Sequence, residues 1–364
     1  MSNSGRTFRD MVSAVWHGHD PGGIVWQPRL EFWYAVNKAR GTLPAHLGQA
    51  SLESVYDYCH ASIRYFGNGL RVRQRHVEIG EERLDAQSVR TTWKTPVGTL
   101  TEVRRYDEWG LSSHLTEYKI KAPADLDVLE YMLQHEEWFW DQQAYEADLA
   151  RVGDRCVPQF YFRRSPVQGL MIEHMGLENT VYLMIDRPER LRQYVEVQTA
   201  ADEAMYRVIG DCPVPVVNLG ENIDAHMDPP SIWNEHLVPY YRLRTEQLHA
   251  AGKRAFILID GAMKPLLPYL RACPWDGIEA ATPLPQGDVT IDEIEQALGD
   301  LILLDGIPAI YFLPSFPESE LIACVNELVE RFHPRLILGI SDEIPPDGDI
   351  ERVRLVGEMV QQMG

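Results

Sequence analysis

Several apolar runs in this chain end on a charged residue instead of trailing into a loop. "RAFILIDG" (254–261) runs into Asp260, "WDGIEAATP" (275–283) carries Glu279, and "PVPVVNLGENID" (213–224) closes on Glu221, Asn222 and Asp224. An ionised carboxylate in an apolar interior is strongly disfavoured without partners, so these acids are expected where strands emerge into a polar site. Asp305 in "LILLDGIPA" and Ser341, Asp342 and Glu343 in "RLILGISDE" continue the series. Crowded carboxylates raise one another's proton affinity unless a cation offsets the repulsion. Arg29, Arg163, Arg164, Lys264, a bound metal or an amine substrate could supply that charge.

Such a cluster suits general acid–base work or a metal held by oxygen and imidazole. Asp260, Glu279 and Glu221 are the expected catalytic groups. Arg29, Asn222, Arg163 and Trp33 are expected substrate contacts, and His226 a metal ligand beside Asp260 and Glu279. Each also has a plainer reading. Asp260 and Glu279 could cap helices or form a buried ion pair, and Asp224 and His226 could shape their loop. Asp305 could open a turn with Gly306, and Asp349 could cap the last helix.

The elements that would position these groups follow from the patterning. Short apolar runs alternate with segments of helical spacing, of which "PSIWNEHLVPYYRLRTEQLHAAG" and "ESELIACVNELVERF" are the clearest. Alternating strands and helices imply an α/β protein with a mainly parallel sheet, here expected as a (β/α)8 TIM-like barrel spanning 1–364 as one domain. In such a barrel the carboxyl ends of all strands open on one face, which carries the reacting groups. Residues 71–121 differ: "RVRQRHVEI", "VRTTWKTPVGTLTEVRRY" and "HLTEYKIKA" read as a β-rich, antiparallel excursion near the N-terminus, with "TPVG" as a turn. Residues 123–153 read as helical, with Trp138, Phe139 and Trp140 expected in the core or an interface.

Of the 364 residues 45% are hydrophobic and 24% charged, enough apolar residue to bury a large core. The formal charge of −20 argues against nucleic acid or an anionic membrane as partner. Five scattered cysteines without a C-x-x-C pair suggest reduced thiols. With no secretory signal and no apolar run long enough to span a bilayer, the expected address is the cytoplasm. Neither a dinucleotide fingerprint after a strand, nor a P-loop, H-E-x-x-H or G-x-S-x-G occurs.

The order of "KTPVGTLTEV" (94–103), "RSPVQGLMIEHMGLENTVYLMIDRPERL" (164–191), "NLGENIDAHMDPPSIWNEHLVPYYRLRTEQLHAAGKRAFILIDG" (218–261) and "LILGISDEIPPDGDIERV" (336–353) resembles the uroporphyrinogen decarboxylase superfamily. The segment "QPRLEFWYAVNKARG" lacks the R-Q-A-G-R-Y type motif of the decarboxylases, and the β excursion with "TPVG" looks more like the corrinoid-dependent methyltransferase branch. That branch typically places zinc on an H-x-C pair and a later cysteine. Leu258, Ile259, Asp260 and Gly261 stand where H-x-C-G would be, and Ile340 or Ser341 where the later thiolate would be. Glu279 falls where related enzymes using a glutamate ligand would carry it. The resemblance therefore implies methyl transfer between a small O- or N-methylated donor and a corrinoid on a partner protein, since no D-x-H-x-x-G occurs here. Zinc or another divalent ion on oxygen ligands, or no metal, is compatible, and a homodimer is the family-level expectation. A lyase acting on a carboxylated substrate and a non-catalytic ligand-binding barrel are the rival readings.

Overall fold

The computed structural model describes residues 5–341 and 343–363. β1 (Val25–Trp26) precedes an antiparallel excursion of β2 (Leu70–Gln74), β3 (Glu78–Arg83), β4 (Ser88–Thr95), β5 (Gly98–Tyr106), β6 (Ser113–Glu117) and β7 (Glu136–Trp140). The main sheet resumes with β8 (Gln159–Tyr161), β9 (Val216–Ile223), β10 (Arg254–Ile259), β11 (Gly277–Glu279), β12 (Ile302–Pro308) and β13 (Leu336–Ser341). Its order is β1-β13-β12-β11-β10-β9-β8, and every neighbouring pair is parallel. Helices intervene between most of these strands. β12 and β13 are buried along their whole length, as parallel strands covered on both faces must be.

This is a curled sheet of seven parallel strands, where eight βα units were expected. Between its edge strands lies the irregular segment 62–66. There Ser62 N–H donates to the Trp26 carbonyl at 2.8 Å, and Phe66 N–H donates to the Gln159 carbonyl at 3.2 Å. The segment makes one such bond to each edge and no continuous ladder. Arg64, at its centre, reaches the Gln27 carbonyl with its side chain at 2.7 Å.

The excursion forms as expected but reaches further. β3 to β6 make a four-stranded antiparallel sheet, and Thr95 and Gly98 face each other across the Pro96–Val97 turn. Residues 136–140, expected within a helical stretch, instead pair antiparallel with β2. Aromatic residues fit a pleated surface, and the partner that makes a strand possible is supplied from about 65 positions earlier. Trp138 and Trp140 pack against the core, whereas Phe139 is exposed. Among the described residues no helix is long and apolar enough to cross a membrane, and all five cysteines are buried and unpaired.

Candidate functional site at the carboxyl ends of the strands

β11 ends on Glu279, which is fully buried. Its oxygens accept from Arg64 Nη1 at 2.9 Å, from Tyr161 Oη at 2.9 and 3.0 Å, and from the Tyr65 hydroxyl and the Asn218 amide. The same guanidinium donates to Asp305 through Nη1 at 2.9 Å and through Nη2. One buried cation thus serves two buried carboxylates and a carbonyl. Burial opposes the charge on Arg64, but Asp305 and Glu279 outweigh it and hold the guanidinium protonated. Burial also raises the Asp305 carboxyl above its ordinary range, against the pull of Arg64 and with added repulsion from Glu279.

Glycine on β13 leaves room for this pair. A Cβ on Gly339 would collide with Asp305 Oδ1 and the Gln27 carbonyl, and would lie 2.5 Å from Arg64 Nη2. Asp305 sits within β12, opposite Leu338, and opens no turn there. Its φ of 93° lies in the left-handed region, as do those of Asn222 at 53° and Ala280 at 65°. Three strained non-glycine residues at or near strand ends mark a place where surrounding structure overrides local preference, a frequent property of functional sites.

Above the ion pair the rings of Tyr65 and Tyr161 lie 4.1 Å apart, both partly exposed, with Arg29 Cζ 5.5 Å from the Tyr65 centroid. Burial, followed by the Glu279 charge, pushes both phenols well above their ordinary range and keeps them protonated. Tyr161 packs onto the β9 backbone, where a Cβ on Gly220 would sit 2.5 Å from its ring. Asn222 Nδ2 donates to Asp260 Oδ2 at 2.6 Å, while its Oδ1 accepts from Arg164 Nη2. Arg29 pairs with Glu343 at 2.7 Å.

The register between β9 and β10 shifts here, with Ile257 opposite Leu219 but Ile259 opposite Ile223. Such irregularities re-aim side chains. Asn218 and Asn222 send their amides toward Glu279 and Asp260, whereas Glu221 lies on the opposite face against the helices. Glu221 accepts from Ser165 N at 2.8 Å and Ser165 Oγ at 2.9 Å, a structural role in place of the expected catalytic one. Burial pushes its carboxyl up to about 7 despite those bonds, and raises neighbouring Asp228 likewise.

Of the expected residues, Asp260, Glu279, Asn222 and Arg29 therefore gather at the strand ends. Arg163 turns away, to Asp202 at 3.1 Å and Glu136 at 2.5 Å, so it is not a substrate contact in this arrangement. Trp33 is buried and donates to the Gly348 carbonyl at 3.0 Å. His226 is 82% exposed and bonds Asp224 at 2.8 Å, and Asp224 in turn packs against Gly261. Burial works to raise Asp224, but hydrogen bonds from the His226 backbone and ring outweigh it and leave the carboxyl below its usual range. Lys264 pairs with Glu293, and Asp349 accepts from Glu351 N at the start of the last helix, as a cap does. Asp342 lies outside the described residues.

The expected metal centre does not fit this geometry. Glu279 is fully occupied by Arg64, Tyr65, Tyr161 and Asn218, and the described residues hold no group of three His, Cys, Asp or Glu side chains able to bind an ion. Sequence reading missed Arg64, Tyr65, Tyr161 and Asn218. The signal for the first two was "SIRYF", a short strand-like run with one cation inside it.

In three dimensions the chain is similar over its whole length to a methyltransferase from Methanosarcina mazei, 12% identical, with 98% of each chain covered and a TM-score of 0.59. A B12-independent methionine synthase from Shewanella sp. W3-18-1 aligns more loosely, at 9% identity over 88% of this chain and 91% of that one, with a TM-score of 0.44. No protein-family model matches, and no curated protein matches by sequence. At this identity the likeness to the Methanosarcina enzyme establishes a shared fold.

Two outcomes follow from the buried charges. Replacing Arg64 with Met leaves Glu279 and Asp305 uncompensated and is expected to cost about 3–5 kcal/mol at pH 7.5. An unchanged urea midpoint would show the network to be unimportant. For Glu221 the folded pKa near 7 exceeds the ordinary 4.5, so its stabilising contribution is complete below the unfolded value and disappears as pH rises through 7. Glu221→Gln should therefore shrink the stability difference between pH 5 and pH 8 by roughly 2 kcal/mol. The same difference in variant and parent would mean that Glu221 is ionised throughout.

Proposed function

We propose that this protein is a methyl-transfer enzyme whose reacting centre is the cluster at the carboxyl ends of its strands. The observation that carries the reading is Asp260, which follows β10 directly and is held by Asn222, itself bonded by Arg164, at the same strand ends as the Tyr65–Tyr161 pair. Its whole-length likeness in fold to a methyltransferase supports the same reading. The proposed donor is a small O- or N-methylated molecule lying against the two tyrosine rings. The proposed acceptor is a corrinoid carried by a separate protein, which would reach these partly exposed rings from outside. When bound, the reduced corrinoid supplies the electron pair that takes the methyl group.

The residues of this chain have the remaining tasks. As the bond from methyl carbon to oxygen or nitrogen breaks, the leaving atom keeps the electron pair and needs a proton, unless the donor nitrogen is already quaternary or protonated. Asp260 is the proposed proton donor, and Asn222 orients it by donating to its Oδ2. Glu279 holds the Tyr65 and Tyr161 hydroxyls and so fixes the wall against which the donor packs. No step is routed through a metal, because Glu279 is committed to its partners and the described residues hold no group of three possible ligands.

The test is methyl transfer to free cob(I)alamin from a panel of methoxyaromatics and methylated amines. Activity with at least one donor is expected, and Asp260→Asn should lower kcat for ether donors by about 10²–10⁴-fold with little change in KM. No transfer from any donor would reject the reading. Release of carbon dioxide from a carboxylated donor would replace it with the lyase reading.

A further inference from the structure

The antiparallel excursion does not lie flush on the main sheet. Between β5, β6 and the helical turn that follows β8 is a cavity of about 480 Å³, lined in part by Arg104, Lys119, Arg164, His174, Glu102 and Glu173. Small-molecule sites commonly occupy about 300–1,000 Å³, so the space suits part of a ligand. Most of the charges are matched internally. Lys119 meets Glu102 at 3.3 Å, Arg104 meets Glu102 at 3.6 Å, and Arg164 reaches Glu173. Three cations nonetheless face two carboxylates.

Two buried nitrogens on this wall have no partner: Arg164 Nε and His174 Nδ1. Buried polar atoms are nearly always satisfied, so two orphans on residues lining one cavity call for an explanation. Arg164 also donates to Asn222, which in turn donates to Asp260, so one guanidinium borders both the cavity and the reacting cluster.

We propose that this cavity binds the carboxylate of the methyl donor, with Arg164 and His174 as its contacting groups. The proposal rests on the strand-end cluster being the donor site, and it narrows the donor to a molecule with a carboxylate at one end and a methylated oxygen or nitrogen at the other. A guanidinium is the side chain best matched to a carboxylate, and here it is already oriented by Glu173 and Asn222. The local field agrees. Burial first, then the charges of Lys119, Arg163 and Arg164, hold His174 well below the ordinary imidazole range. Three cations against two carboxylates line this cavity in a chain of net charge −20.

An arriving carboxylate would offset the nearby positive charges and favour protonation of His174. The experiment uses the full chain with 15N-labelled histidine, the His174 signal being identified by its loss in His174→Gln. Titration with benzoate is expected to give a saturable shift of that signal toward the protonated form. Arg164→Gln and Lys119→Met should each weaken the apparent Kd, the former about tenfold or more, with circular dichroism confirming that both variants are folded. No saturable shift in the parent protein, or equal affinity in parent and both folded variants, would overturn the proposal. Displacement of benzoate by equimolar inorganic phosphate would overturn the carboxylate assignment in favour of a phosphate site. Methoxybenzene, which lacks the carboxylate, should leave His174 unshifted. Binding is read without turnover, so a protein that takes up benzoate but transfers no methyl keeps this subsite and loses the methyl-transfer reading.

Discussion

A single guanidinium in a water-free interior organises the end of this protein where its chemistry is proposed. Arg64 is fully buried, as are Glu279 and Asp305, and its planar fork is the one side chain that can satisfy both carboxylates and a backbone carbonyl together. Removing either sign of charge would leave the other stranded in low dielectric, where solvation cannot replace it. Much of the surrounding structure complies with this constraint. Gly339 has no side chain because the ion pair occupies that space, and Asp305 adopts a backbone conformation that residues with a Cβ normally avoid.

The two carboxylates that sequence reading set together, as metal ligands or as acid and base, have different surroundings. Glu279 is fully buried, bonded by four donor groups, and fixes the phenols of Tyr65 and Tyr161. Asp260 is only partly buried and stands at the rim, within a chain of side-chain hydrogen bonds through Asn222 to Arg164. One acid is positioned to hold the site and the other to meet a ligand. This division, more than the number of acids, underlies the proposed proton delivery by Asp260.

The excursion gains a purpose from the same geometry. Its sheet stands beside the helical turn that begins at Ser165, and the two enclose a polar space bordered by Arg164. Glu221 contributes indirectly by accepting from Ser165 and so anchoring that turn from the far side of the sheet. A residue expected in the chemistry thus supports a neighbouring wall.

Local pattern was enough to reveal the apolar runs of the main sheet, their alternation with helices, the antiparallel excursion and the polar residues at strand ends. Those features follow from burial and periodicity over a few residues, which a sequence carries directly. It was not enough for residues 136–140, whose strand needs β2 as a partner, nor for the face on which Glu221 lies, which depends on a register shift against β10. It was least informative about Arg64, which stands 215 positions from Glu279 and 241 from Asp305. A sequence can require that a buried acid find a cation, because the desolvation cost is local. Only the closed packing of distant strands decides which cation it meets.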